Sequence, residues 1–364
     1  MKDHGPEAIW LIDTTLRDGE QSPGVAFSRK TKEIIASMLA NVGVDELEAG
    51  TPAMGKIEQE DIRALIRLNL SCRLTCWCRA RREDIEDAAR CDTGSIHISF
   101  PVSSIHLKAM KKDESWVLAQ LEQLLKNACN RFQFVSVGAQ DATRADLSFL
   151  KTFAEHAFRF GAYRMRIADT VGIATPASVT NLITGLLESA RGTSLEFHGH
   201  NDLGMATANS FSAVQAGADA VSVTVNGLGE RAGNAAMEET AMAIALAGNR
   251  FCRVRTEKIM QLCTYVAQAS QRPIPSNKPI TGSLVFTHES GIHCDGMFKD
   301  QQAYEPFSGN LLGRNSEFVM GKHSGTALLR QVLNKMGLQS EQYGNKELLD
   351  LVIYHLKESY STIP

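Results

Sequence analysis

His198 and His200 stand two apart at the end of an apolar run, in the segment 195–205 that reads LEFHGHNDLGM. In a β-strand, residues i and i+2 project to the same face, so both imidazoles would point from one strand end toward one place. Neutral imidazole is a common ligand of divalent metal ions. Two histidines alone do not make such a site, and the plainer alternative is a pair of satisfied histidines at a strand end. Here Asn201, Asp202 and Gly204 follow, and the segment Arg17-Asp18-Gly19-Glu20-Gln21 lies far upstream, so oxygen donors are available to complete a ligand set.

Such a site needs a scaffold that presents several strand ends to one point. Short β-rich runs at 8–13, 44–49, 73–77, 95–100, 132–137, 164–168, 195–198 and 220–225 alternate with amphipathic stretches, including 31–42, 115–129, 146–160 and 177–190. Strand–helix alternation repeated eight times predicts a parallel sheet closed into a (β/α)8 TIM barrel, an α/β fold. A doubly wound open sheet would call for a Gly-rich phosphate turn after the first strand, and Asp13-Thr14-Thr15-Leu16-Arg17-Asp18 is not one. The barrel is expected over 1–270. A proline-bearing connector follows at 271–282, QRPIPSNKPITG. The last region, 283–364, is read as small and mainly helical, with loop-like SGIHCDGMFKD and GKHSG segments and helical patterns at 326–336 and 346–360.

The composition sets bounds. The 364 residues are 43 % hydrophobic with a formal net charge of -3, which gives no nucleic-acid footprint. No run approaches the ~18 apolar residues of a membrane span, and no secretory signal is read at the start, so a cytoplasmic protein is expected. Eight cysteines are scattered without a second pair to match Cys76-Trp77-Cys78, which predicts reduced, mostly core thiols.

In a TIM barrel the active site lies at the C-terminal strand ends. Polar residues gather there strand by strand: Arg17, Asp18, Glu20 and Gln21 after the first, Glu48 on the second, Cys78 and Arg79 on the third, His97 and Ser99 on the fourth. Gln140 and Asp141 follow the fifth, Arg166, Asp169 and Thr170 belong to the sixth, His198 and His200 to the seventh, and Asn226 with Gly229–Asn234 to the eighth.

Three segments, DTTLRDGEQSPG at 13–24, HGHNDLGMA at 198–206 and NGLGERAGN at 226–234, resemble signatures of the 2-isopropylmalate synthase and homocitrate synthase family. The likeness extends to SGIHCDGM at 290–297 and GKHSG at 321–325. Within the family, VSVGAQDATRAD, ISFPVSSIHL and TCWCRA look most like the homocitrate synthases associated with nitrogenase. The resemblance implies a metal-binding TIM barrel that condenses acetyl-CoA with a 2-oxo acid. It implies Asp18, His198 and His200 as metal ligands with Asn234 at or near the same metal, and His293, with Tyr304 nearby, as the candidate for acid/base work on the acetyl group. It also implies a homodimer in which the C-terminal region of one chain covers the barrel of the other.

The chemistry of the residues runs alongside. A divalent ion held by mixed N and O ligands acts as a Lewis acid on the keto group; Mn²⁺, Zn²⁺ and Mg²⁺ all remain open. Arg17 can stabilise the developing alkoxide. Thr170 can bind the substrate carboxylate or cap the helix after strand six. His97, Ser99 and Arg79 are candidates for reading a second carboxylate, with Arg166 also on the substrate side, and Gly229 and Gly233 could let backbone N–H groups approach a CoA phosphate. Family members often carry Glu where this chain has Gln140, which either removes a proton carrier or leaves an orienting group. The expected activity is homocitrate synthesis from acetyl-CoA and 2-oxoglutarate. The alternatives are a synthase for another 2-oxo acid (2-isopropylmalate or citramalate), a metal-dependent 3-hydroxyacyl-CoA lyase, and a non-catalytic metal-binding barrel.

Overall fold

The computed structural model describes residues 8–335, 337 and 345–361. The chain divides into two compact units, Met1–Pro273 and Ile274–Pro364. The first contains β1 (Trp10–Asp13), β2 (Glu46–Gly50), β3 (Arg73–Arg79), β4 (Ser95–Pro101), β5 (Phe134–Gln140), β6 (Arg164–Asp169), β7 (Ser194–Gly199) and β8 (Ala220–Val223). Each pairs in parallel with its neighbour in sequence, and β8 closes on β1 with Trp10 opposite Ala220 and Asp13 opposite Val223. This is the expected (β/α)8 barrel. Helices stand between the strands, among them Arg29–Val42, Glu114–Ala128, Leu147–Arg159 and Pro176–Leu186.

The strands alternate by two, as a sheet must. The outward residues Leu47, Ile96, Ile98, Val137, Met165, Ile167, Phe197 and Val221 are fully buried beneath the helices. In most such barrels branched aliphatic side chains also fill the interior. Here the interior is charged. From the N-terminal end upward, Arg73 Nη1 lies 3.4 Å from Glu46, Glu46 accepts from Arg164 at 2.7 and 3.0 Å, and Arg164 Nε lies 2.7 Å from Glu196. Arg166 Nε donates to Glu196, Arg166 Nη2 lies 2.6 Å from Glu48, and Glu48 accepts from Arg17 at 2.6 Å. Thr75, Ser95 and Ser222 fill the gaps with hydroxyls bonded to Glu46, Thr75 and Glu196.

Removing these charges from water is expensive, and only close opposite partners offset it. The Glu46 carboxyl shows the balance. Burial alone would raise its pKa, but Arg164, the Thr75 hydroxyl and Arg73 outweigh burial and hold it down at about 2. Below it, the Arg73 guanidinium lies 3.6 Å from the Phe134 ring centroid, 5.0 Å from Trp10 and 5.1 Å from Tyr163, an aromatic box at the N-terminal end.

The second unit has a two-stranded parallel sheet, Thr287–His288 with Glu317–Phe318, and helices Gly291–Lys299, Thr326–Lys335 and Asn345–Ser361. Leu329, Leu333 and Leu349 form its buried cluster, packed with Met320, Leu348 and Ile353. The SGIHCDGM segment was expected as loop and is helical. Cys294 and Met297, three apart, give it a buried face, and Ser290 O accepts the Cys294 N–H. Met336 lies outside the described residues. All eight cysteines are free, and among the described residues no helix is long and apolar enough to cross a membrane.

Candidate metal centre and active site

The backbone N–H groups of Arg17, Asp18 and Gly19 all turn onto the carbonyl of Thr14, at 3.1, 2.8 and 3.0 Å. This tight turn after β1 aims Asp18 back over the barrel axis. On β7 and just past it, His198 and His200 meet it, with Nε2 atoms 3.1 and 3.6 Å from Asp18 Oδ2. The three ligand atoms lie within 4.8 Å of one another, and all three side chains are nearly buried. His200 Nδ1 lies 3.1 Å from the carbonyl of Asp169. A carbonyl only accepts, so Nδ1 carries the proton and Nε2 offers its lone pair. Burial, with His198 beside it, pushes the His200 pKa down to about 4, so the ring is neutral at physiological pH. Burial works against the Asp18 charge, but Arg17 and the two imidazoles outweigh it and hold the carboxyl well below the usual carboxylate range.

Asn234 pairs with His200 across an isolated antiparallel bridge, and its Nδ2 donates to Leu228 O at 3.0 Å. Its buried Oδ1 has no hydrogen-bond partner among the described residues. Buried polar atoms are rarely left so. Two imidazole nitrogens and a carboxylate at one place, with an orphaned amide oxygen on the residue bridged to His200, fit a divalent cation with mixed N and O ligands.

Beside this trio lies a cavity of about 210 Å³, room for a small acid rather than a whole coenzyme. Arg17 donates Nε to Glu48, places Nη1 3.1 Å from Asp18 and rests over Trp77, 5.4 Å from its ring centroid. Arg166, two residues up from Arg164, lines the cavity from β6. Burial opposes the charge on Glu48, but Arg166 and Arg17 keep its carboxyl below the ordinary range. His97 and Ser99 line the cavity from β4. His97 Nδ1 is 2.9 Å from Ser136 Oγ, and burial, reinforced by Arg166, Arg164 and Arg17, keeps the ring neutral. Its Nε2 reaches in over Gly138, where a Cβ would sit 2.5 Å from it; only glycine leaves that space.

Gln140, at the end of β5, and Thr170, after β6, complete the wall. Thr170 does not cap the next helix, because Thr175 does so, in a capping box with Ser178. The Thr170 hydroxyl instead accepts the Asp141 N–H at 2.8 Å, which leaves its own proton to be donated. Gly229 and Gly233 are needed by their own loop. A Cβ on Gly233, at φ 88°, would meet Gly227 O at 2.0 Å, and one on Gly229 would meet Asn234 Nδ2 at 2.2 Å. This packing holds Asn234 and brings Glu230 and Arg231 to the cavity. Arg231 is tied to Asp202 at 2.8 and 2.9 Å and to the Thr170 carbonyl at 2.9 Å.

Arg79 is not brought to the cavity. Its guanidinium forks onto Asp84 at 2.8 and 2.9 Å and stands half-exposed, so the expectation that it reads a substrate carboxylate is corrected. In the second unit, His293, on helix Gly291–Lys299, stacks on Tyr304 with centroids 4.2 Å apart. Ser136, Trp77, Glu196, Glu230 and Arg231 belong to the site or its floor and were not singled out from sequence. The signal was there for Glu196, which stands at i−2 from His198 and so shares its face.

A family model described as HMGL-like matches residues 8–266, and one described as homocitrate synthase post-HMGL domain-like matches 280–358. The chain is 41 % identical over 354 residues to 2-isopropylmalate synthase 2 of Caldanaerobacter subterraneus, covering 96 % of this chain and 90 % of the relative. It is 42 % identical over 331 residues to the homocitrate synthase of Frankia alni, covering 91 % and 94 %. In fold it is similar to an HMG-CoA lyase of Bacillus subtilis, with a TM-score of 0.67 at 19 % identity over 75 % of this chain and 97 % of that one. With a barrel and a following region both matched, and relatives aligned over nearly their whole length, the chain belongs to the HMGL-like family, in the group of condensing synthases that includes 2-isopropylmalate and homocitrate synthases.

Proposed function

We propose that this chain is a homocitrate synthase that condenses acetyl-CoA with 2-oxoglutarate and water to give homocitrate and CoA, as a cytoplasmic homodimer serving nitrogen fixation. The observation that carries the substrate choice is the placing of Arg166 and the neutral His97 on the cavity wall beside Arg17 and the Asp18–His198–His200 trio. Relatives of nearly equal identity carry the names of four different synthases, so overall similarity does not decide between their substrates. A wall of guanidinium, imidazole and hydroxyl groups suits a second anionic group and is poorly matched to an isopropyl group, which would leave those polar atoms unpaired.

Asp18, His198 and His200, with Asn234, would hold the divalent cation, which when bound supplies Lewis-acid polarisation of the keto group. Arg17, pinned by Glu48, donates to the keto oxygen as it gains negative charge. Thr170 donates its free hydroxyl proton to the adjoining carboxylate. Arg166, His97 and Ser99 take the distal carboxylate. The acetyl methyl gives up a proton to a base, for which His293 is the candidate, and its carbon bonds to the keto carbon while the keto oxygen takes a proton. Water then breaks the C–S bond, and the departing thiolate is protonated to CoA. Gly229 and Gly233 are proposed to lie near the CoA phosphates. Release of CoA from acetyl-CoA against a panel of 2-oxoglutarate, 2-oxoisovalerate, pyruvate and phosphonopyruvate tests the reading. The largest kcat/KM is expected for 2-oxoglutarate, and faster turnover of 2-oxoisovalerate would overturn it.

A further inference from the structure

Arg164 and Arg166 are two residues apart on β6 and point to the same side, so two guanidinium groups are stacked inside one barrel. A single carboxylate, Glu196 on β7, stands between them. Its Oε2 lies 2.7 Å from Arg164 Nε, and its Oε1 accepts from Arg166 Nε and from the hydroxyl of Ser222. Glu196 and Ser222 are fully buried, and neither lines the cavity. Arg166 Nη2 is ion-paired with Glu48 at 2.6 Å, without the alignment of a hydrogen bond. With Nε and Nη2 held, Nη1 is the edge that no described residue engages, and Arg166 lines the cavity.

We propose that Glu196 is a positioning residue that sets substrate selectivity: by bridging Arg164 and Arg166 it fixes Arg166 with Nη1 turned to the cavity, where it meets the second anionic group of a dicarboxylic 2-oxo acid. The inference rests on the substrate reading given above and assigns the part of the protein that enforces it. An arginine beside another arginine, with no anion between them, would swing away from it. A guanidinium held at two of its three nitrogens cannot, and its remaining donors keep one direction. A glutamine at 196 could accept from one arginine only, because its amide nitrogen would face the donor of the other.

The distal group lies away from the bond being made, so its contacts act alike in ground and transition states. Their loss therefore appears in KM more than in kcat. The experiment measures kcat and KM for 2-oxoglutarate and for pyruvate, which lacks the second acid, in the Mn²⁺-loaded wild type, E196Q, S222A and E46Q. In E196Q the 2-oxoglutarate preference is expected to fall about 30-fold or more, through KM. S222A, which removes one bond to the same oxygen, is expected to shift the preference the same way by about 3-fold. Glu46→Gln breaks the equivalent bridge one layer lower, away from the cavity, and is expected to lower Tm without moving the preference.

A preference in E196Q equal to that of wild type, or raised because Arg166 is no longer neutralised, would overturn the proposal while leaving the substrate reading intact. An equal loss in E46Q would also overturn it, since the effect would then be one of barrel stability. If E196Q does not fold, an unchanged preference in S222A overturns it. A wild type that does not discriminate between the two acids overturns the substrate reading and this inference with it.

Discussion

His200 gives its Nδ1 proton to the carbonyl of Asp169 at 3.1 Å, and this bond turns its Nε2 toward Asp18. The nitrogen that faces Asp18 is thus selected by a backbone atom of the neighbouring strand, and no side-chain substitution can remove that partner. Asp18→Asn, His198→Ala and His200→Ala are each expected to weaken Mn²⁺ binding by more than about 100-fold and to abolish condensation. Calorimetric titration of the metal-free proteins measures the first, and CoA release the second. Full activity of chelator-treated wild type would contradict the metal centre.

Acid should loosen the barrel through Glu46. Its folded pKa of about 2 lies below the ordinary 4.5, so between these values the unfolded chain binds the extra proton. Stability from this group is therefore complete above pH ~4.5 and is lost as pH falls toward ~2, by about 3 kcal/mol. Urea midpoints measured at pH 6 and pH 3 should differ more for wild type than for Glu46→Gln. At pH 6 the variant should already be less stable by about 3–5 kcal/mol, because Arg164 loses its charged partner.

Gln140 lines the cavity but holds no proton to exchange. Gln140→Ala is expected to lower kcat without moving either limb of the pH–rate profile by more than about 0.3 unit, whereas Gln140→Glu should add an ionisation on the acid side. Disappearance of a limb in the alanine variant would mean that residue 140 belongs to the proton path after all.

The proposed homodimer has a testable arrangement, with His293 acting on the barrel of the partner. Asp18→Ala and His293→Ala should each be inactive alone. Co-expressed with random pairing, about half the dimers are mixed and half of their sites carry neither change, so about a quarter of wild-type activity should return. No recovery, with mixed dimers confirmed by differential tags, would place His293 on its own chain's site.

The barrel and the shared face of His198 and His200 were legible in sequence because both follow from local periodicity, whereas Asp18 was joined to them by the resemblance of the segment 13–24 to a family signature. Strand alternation fixes which face a histidine takes, and the strand end fixes its height. Arg79 misled because its competitor was also local: Asp84, five residues on in the helix Arg82–Ala89, offers it both carboxylate oxygens. The SGIH helix was obscured by glycines whose purpose is tertiary, since a Cβ on Gly291 would strike the backbone of Gly325. Glu48 and Glu196 stand at the right i+2 spacings, but which arginine each meets is set by register across the barrel, and a single sequence does not encode that openly.

The charged lining of the barrel also governs how the first unit responds to temperature. Melting it hydrates guanidinium and carboxylate groups where another barrel would hydrate branched hydrocarbon, and polar exposure lowers the heat capacity of unfolding while apolar exposure raises it. The hydration advantage of the freed ions also shrinks on heating. The stability curve of this unit should therefore be flatter than that of an aliphatic-cored barrel of equal length, with less tendency to unfold in the cold and a slower decline toward its melting point.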